Sequence, residues 1–166
     1  MIKYNLTKAC PLSGVLRQCQ KLGFGAECAS MGEVKHAISL GFDPAKIIYD
    51  SPVKTKTNLE IAIKLGIFFN LDNVDEIIKV DELLKTSCQG VNVEGRIGIR
   101  VNPVVGGGKV AILSTAGKTS KFGLLMVDEC EQKLLELYKQ YSFLNGIYSS
   151  SLQLNKIQNR ITYARW

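Results

Sequence analysis

Histidine is almost missing from this sequence: His36 is the single one among 166 residues. Metal chemistry built on imidazole has little to draw on, and no metal site is expected. The five cysteines, Cys10, Cys19, Cys28, Cys88 and Cys130, are odd in number and form no C-x-x-C pair. That disfavours a disulfide framework and a zinc site alike. No apolar run approaches the ~18 residues a membrane span requires. The N-terminus lacks the apolar core of a secretory signal, so a cytoplasmic protein with no membrane partner is expected. Blocks of like charge are lacking too. Of the net charge of +6, three units come from Lys156, Arg160 and Arg165, in a tail without acids. The remaining charges are interspersed, so no nucleic-acid partner is expected. Gly117-Lys118-Thr119 lacks the glycine a phosphate loop places five positions earlier, where Ile112 stands, and nucleotide hydrolysis is excluded.

What is present is a globular composition, 46% hydrophobic and 22% charged, with the length of one ordinary domain. Leu12, Val15, Leu16, Cys19 and Leu22 recur at steps of three and four, which predicts a helix with these residues on one face. Ala26 to Ala29 reads as a short strand. Ser30 and Glu33 have capping-box spacing, and a helix is predicted to Leu40, with Gly41 as its stop. Strands follow at 46–50, 67–71 and 96–101, and helices at 57–65 and 73–84. The segment 104–123 reads as a long loop, 127–141 as a helix with Cys130, Leu134, Leu137, Tyr138 and Tyr141 on one face, and 143–148 as a last strand.

The strands centre near Leu6, Glu27, Ile48, Phe69, Ile99 and Ile147, so the first three steps are each 21 residues. That length holds one strand, one helix and two short loops, the period of a parallel α/β fold. Gly23 and Gly25 precede a strand instead of following one, so the open dinucleotide-binding fold is disfavoured. The expected class is α/β: a partial (β/α)8 TIM-type barrel with about six of the eight parallel strands. In such a barrel functional residues lie at the C-terminal ends of strands. The rule selects Lys8, Glu27, Asp50, Asn70 or Asp72, Arg100, and Tyr148 with its following serines. Lys8 is expected as an amine at the end of a buried strand, suited to attack a cofactor carbonyl. Glu33 reads most simply as a helix cap, with a role near the Lys8 amine as the sharper alternative. His36 reads as a mid-helix residue without catalytic work.

Four ordered blocks carry a resemblance. Gly23 to Glu33 resembles G-x-x-A/F-D/E-x-A-S-x-G-E. Ile47 to Thr55 resembles the block that follows it. Ile99-Arg100-Val101-Asn102-Pro103 and Ser120-Lys121-Phe122-Gly123 resemble R-V-N-P and S-K-F-G. All are similar to the pyridoxal-phosphate-dependent diaminopimelate, ornithine and arginine decarboxylases of the alanine-racemase fold type, and most to the diaminopimelate branch. The resemblance implies pyridoxal 5'-phosphate as cofactor and Lys8 as its Schiff-base lysine, since Thr7-Lys8-Ala9-Cys10-Pro11 takes the place of V-K-A-N-P. It implies that Arg100 lies beside the cofactor ring and that Glu27 and Glu33 sit near the lysine. It also implies an amino-acid substrate of the diaminopimelate, ornithine or lysine type, and a homodimer. A small racemase-like carrier of the cofactor is the weaker reading, because the blocks match the decarboxylase branch.

The sequence departs from the family after Tyr148. Ser150 falls where the histidine of H-x-G-S would stack on the ring, and Ser150 is the residue expected at that cofactor position. The expected organisation is an incomplete cofactor-binding barrel over 1–148 and a basic tail over 149–166 outside the family pattern. The last two barrel strands, the glycine-rich phosphate site and the acid that pairs with the pyridine nitrogen are expected to be lacking. Weak cofactor binding and no independent turnover are therefore expected. The alternative function is an inactive truncated or regulatory homologue that pairs with a full-length relative.

Overall fold

The structure is a computed structural model, and it describes residues 3–102, 123–125 and 128–149. One parallel sheet organises it. The strands are β1 (Tyr4–Leu6), β2 (Gly25–Cys28), β3 (Ile47–Tyr49), β4 (Phe68–Leu71), β5 (Ile97–Asn102), β6 (Leu124–Leu125) and β7 (Leu144–Ser149). Between them run α1 (Ser13–Lys21), α2 (Met31–Ser39), α3 (Lys56–Leu65), α4 (Val74–Lys85) and α5 (Asp128–Gln140). Each of the first five strands pairs in parallel with the next. The six strands expected from the sequence are all present, and the two-residue β6 is additional.

Both β6 and β7 pair with β5. β4 accompanies β5 only as far as Ile99, and β6 meets it beyond, at Val101 and Asn102. β6 thus takes up the edge that β4 leaves, and β7 lies along the other edge. Among the described residues the outer edge of β1 has no partner strand.

Local chemistry sets the element boundaries. Ser30 caps α2 by accepting the Glu33 N–H at 3.2 Å, and Glu33 returns a carboxylate oxygen to the Ala29 N–H at 2.8 Å. This reciprocal arrangement satisfies two donors that the helix start would leave open, so Glu33 is the cap that its spacing suggested. Thr55 caps α3, and Asn73 caps α4 through the Glu76 N–H. All six residues of β5 are buried, as expected where helices cover one sheet face and the sheet's own curvature covers the other. Ile97, Ile99, Phe69, Leu71 and Ile47 form the middle of the core, each contributing about 1.5–3 kcal/mol by its burial.

α1 departs from its expected orientation. Of the five apolar residues that mark its stripe, only Leu16 is fully buried, whereas Leu12, Val15 and Leu22 are 66%, 43% and 74% exposed. The helix follows the edge strand, so among the described residues no further layer lies over its outer face. Cys130, on the stripe expected for α5, is among the residues whose side chains are not described. Leu134 and Leu137 of that stripe are buried.

Gly25 opens β2 against Tyr4 of β1. A methyl group there would strike the Tyr4 ring and stand 2.6 Å from the Lys46 carbonyl oxygen. Gly25→Ala should therefore lower stability by about 1–3 kcal/mol, the range for overpacking a close contact, seen as a lower urea midpoint with an unchanged m-value.

Candidate functional site

Parallel pairing puts every strand's C-terminal end on one side of the sheet. Asp50 follows β3 and donates its N–H to the Cys28 carbonyl at 2.9 Å. Asn70 lies in β4, Asp72 just after it, and Arg100 in β5. The structure gathers these four. Arg100 Nη1 stands 3.4 Å from Asp50 Oδ2 and 3.5 Å from Asp72 Oδ1, and all three side chains are less than one-tenth exposed. Asn70 Nδ2 donates to Asp50 Oδ1 at 3.5 Å. The remaining Asp72 oxygen accepts the Gly123 N–H at 3.1 Å. Gly123 has φ +72°, and a Cβ there would come within 2.9 Å of the Arg100 carbonyl oxygen. Only glycine takes that conformation at that approach without strain.

Two further charged residues complete the cluster, and the strand-end rule did not select them. Lys54 and Glu76 form a buried ion pair of 2.9 Å. Lys54 Nζ also donates to the Ser51 carbonyl at 2.6 Å and lies 5.7 Å from the centre of the Tyr49 ring. Glu76 accepts the Lys54 N–H at 2.7 Å and the Asp72 N–H at 3.0 Å. In sequence Glu76 is legible only as the third residue of a helix capped by Asn73. Its carboxylate closes on the helix start through the Asp72 N–H, as that of Glu33 does on Ala29, and also reaches across to the loop after β3.

Lys8 does not end a buried strand. β1 stops at Leu6, and Lys8 stands in the 3-10 turn Thr7–Ala9 that follows, exposed to solvent. The turn is anchored beside it by Thr7, which is fully buried with its hydroxyl 3.7 Å from Cys28 Sγ. Among the described residues no strand lies beyond β1, and Lys8 is exposed at that edge. Glu27 is half-buried in β2, between Leu6 and Ile48 in the register. His36 is 3.4 Å from the Ser13 hydroxyl on the exposed surface. Ser150, the segment 104–122 and the tail 150–166 lie outside the described residues. No three His, Cys, Asp or Glu side chains among the described residues are grouped to hold a metal ion. No helix among them is long and apolar enough to cross a membrane.

The electrostatics separate these groups. Burial pushes the Cys28 thiol up to about 11, so it is a packed thiol and not a nucleophile. Burial also raises the carboxyls of Asp50 and Asp72, with Arg100 pulling the other way and, for Asp72, the Gly123 N–H as well. Two carboxylates on one guanidinium define its position but are both desolvated to do so.

Residues 2–145 match the family described as pyridoxal-dependent decarboxylase, pyridoxal binding domain. The chain belongs to this family. It is 32% identical over 136 residues to the diaminopimelate decarboxylase of Helicobacter pylori strain J99, covering 80% of this chain and 32% of that protein. The diaminopimelate decarboxylase of Pseudomonas aeruginosa is 32% identical over 119 residues, covering 71% of this chain and 28% of the relative. The crystal structure of a point mutant of the Helicobacter pylori enzyme, complexed with L-lysine, superposes with a TM-score of 0.75 at 28% identity, over 90% of this chain and 37% of that one. The chain thus spans about a third of the length of these relatives. Its sheet is a TIM-type barrel portion, as the 21-residue period predicted.

The pyridoxal-binding family implies a cofactor. Arg100, met at Nη1 by both Asp50 and Asp72, fits a group placed beside a ring. Lys8 fits an accessible amine on the same end of the sheet, and among the described residues no hydrogen bond or ion pair engages it.

A carboxyl raised by burial binds its proton more tightly in the folded chain than in the unfolded one. Its contribution to stability is full below the ordinary value of 3.8 and is lost as pH rises through the folded value. The difference in unfolding free energy between wild type and Asp50→Asn should therefore decline as pH rises above about 4 and then level off. Urea titrations at a series of pH values measure it, and a difference that grows with pH contradicts the assignment.

Proposed function

We propose that this chain forms the cofactor-binding part of a pyridoxal-phosphate-dependent amino-acid decarboxylase, with Lys8 as the amine that carries the cofactor. The observation that carries the reading is the pairing of an accessible Lys8 with a fixed Arg100 at the same end of a parallel sheet, in a chain of this family. The substrate is an amino acid with a basic or second amino group, of the diaminopimelate, ornithine or lysine type. The similarity to diaminopimelate decarboxylases, one solved with L-lysine, supports that class.

Pyridoxal phosphate, when bound, supplies an electron sink for the pair left behind as a carboxylate departs. The protein's share is placement and charge. Lys8 must give up a proton before its nitrogen can attack a carbonyl, and its exposure lets the cofactor reach it. Asp50 and Asp72 both meet Arg100 Nη1, and that guanidinium would stand beside the ring of a bound cofactor. Glu27 contributes a carboxylate one strand away from the Lys8 turn. Ser150 is assigned to the ring position that a histidine occupies in the family pattern. The cofactor is held weakly because the sequence departs from the family pattern after Tyr148, where Ser150 stands for the stacking histidine.

A second reading rests on a separate observation. Among the described residues the β1 edge has no partner strand, and Leu6 of β1 and Leu12, Val15 and Leu22 in the segment after it are exposed. Exposed apolar surface beside a free strand edge favours association with another chain. On this reading the chain is an inactive or regulatory homologue, and the β1 edge pairs with a barrel strand of a full-length relative.

Mixing the chain with substoichiometric pyridoxal phosphate, reducing with borohydride and mapping peptides tests the first reading. The label is expected on Lys8 ahead of the ion-paired surface lysines Lys56, Lys64 and Lys85, and not on the buried Lys54. It should be lost in Lys8→Ala, and largely lost when dialysis precedes reduction. Even labelling of all exposed lysines rejects Lys8 as the carrier. Label that survives dialysis rejects weak binding.

A further inference from the structure

The Lys54–Glu76 pair is unexplained by stability and unused by the chemistry proposed for Lys8. Its side chains are 0% and 3% exposed. Burying two opposite charges costs several kcal/mol per ion in desolvation, and well-packed apolar residues often serve stability as well or better. What an ion pair does supply here is geometry. The two Glu76 oxygens accept three hydrogen bonds, from Lys54 N, Lys54 Nζ and Asp72 N. Lys54 Nζ adds a fourth bond to the Ser51 carbonyl. Together these tie the turn after β3 to the end of β4 and the first turn of α4. The residues that bracket the tie are Asp50, next to Ser51, and Asp72 itself. Those are the two carboxylates that hold Arg100.

We propose that Lys54 and Glu76 are positioning residues for Arg100: by joining the two loops, they set the spacing of Asp50 and Asp72 from which the guanidinium takes its orientation. Neither residue touches Arg100 in this role. Asp50 meets Arg100 Nη1 from the end of β3, Asp72 meets the same nitrogen from the end of β4, and Glu76 determines how far apart the two strand ends stand. Lys54 carries the loop to Glu76 through both its main chain and its amine, so the loop cannot turn about a single bond. The role of Arg100 beside a ring rests on the reading given under Proposed function. The orientation of its side chain does not.

The experiment uses the chain without pyridoxal phosphate. Failure to label Lys8 would then count against the functional reading alone, while Arg100 orientation is measured on its own. A guanidinium held by two carboxylates rotates slowly about its Nε–Cζ bond, and its Nη nitrogens give separate NMR signals. A released one gives averaged signals. In the wild type the Arg100 signals, assigned by their loss in Arg100→Lys, should be separate. In Lys54→Met/Glu76→Leu the chain should keep a urea midpoint at or above that of the wild type, while Arg100 rotation speeds up at least tenfold and its signals merge. Glu76→Gln keeps an acceptor for Asp72 N–H and most of the shape, and should speed the rotation several-fold. Separate Arg100 signals in the folded double variant, or rotation unchanged in Glu76→Gln, would overturn the proposal. So would a double variant that fails to fold while Glu76→Gln leaves Arg100 fixed, because the pair would then be a stability element.

Discussion

The parallel pairing of five consecutive strands is the constraint on which everything else rests. Each strand lies beside the next in sequence, from Tyr4 against Gly25 to Leu71 against Ile99. A parallel ladder requires a crossover after each strand, and a right-handed helical crossover returns the chain to the same end. All C-terminal ends then open onto one side. Residues 20 or more apart in sequence meet there: Asp50 with Asn70, Asp72 with Arg100, and Asp72 with Gly123. Without that common end these would be isolated polar residues on separate loops.

The meeting of charges at that end has a physical cost that the fold meets by pairing. Three carboxylates and two cations lie within the buried cluster of Asp50, Lys54, Asp72, Glu76 and Arg100. Each oxygen of Glu76 is engaged, both Asp72 oxygens are engaged, and Lys54 is bound by a carboxylate and a carbonyl. Buried charges that are fully hydrogen-bonded specify one arrangement, whereas partly satisfied ones permit several. The Lys54–Glu76 part of the cluster is therefore held in one arrangement. The Lys8 turn, at the edge strand and exposed, is its opposite: an accessible amine on a turn anchored through Thr7.

Much of this was legible in the sequence. The 21-residue spacing placed the first four strands, because one strand, one helix and two loops occupy a fixed length of chain. Ser30 with Glu33 marked a helix start, because capping uses the main-chain donors of the next few residues. Strand-end residues such as Asp50, Asp72 and Arg100 could be named because strand direction alone decides which end they occupy. Lys54 and Glu76 escaped because neither ends a strand. Their partnership spans 22 residues, and a cap position in sequence does not disclose that its carboxylate will be used on another loop. The apolar stripe of α1 was visible too, but not which way it would face.

What the sequence alone determined about this protein are its periodic and local properties: the α/β class, the order of the elements, their caps, and the ordered blocks of its family. Those follow from backbone geometry and from neighbours within a few residues. What only the tertiary structure decided are the distances between loops: two carboxylates on Arg100, a lysine buried against Glu76, and Lys8 left outside on an edge. Such contacts depend on where the sheet stops and on how one crossover packs on the next, and no stretch of sequence carries that information by itself.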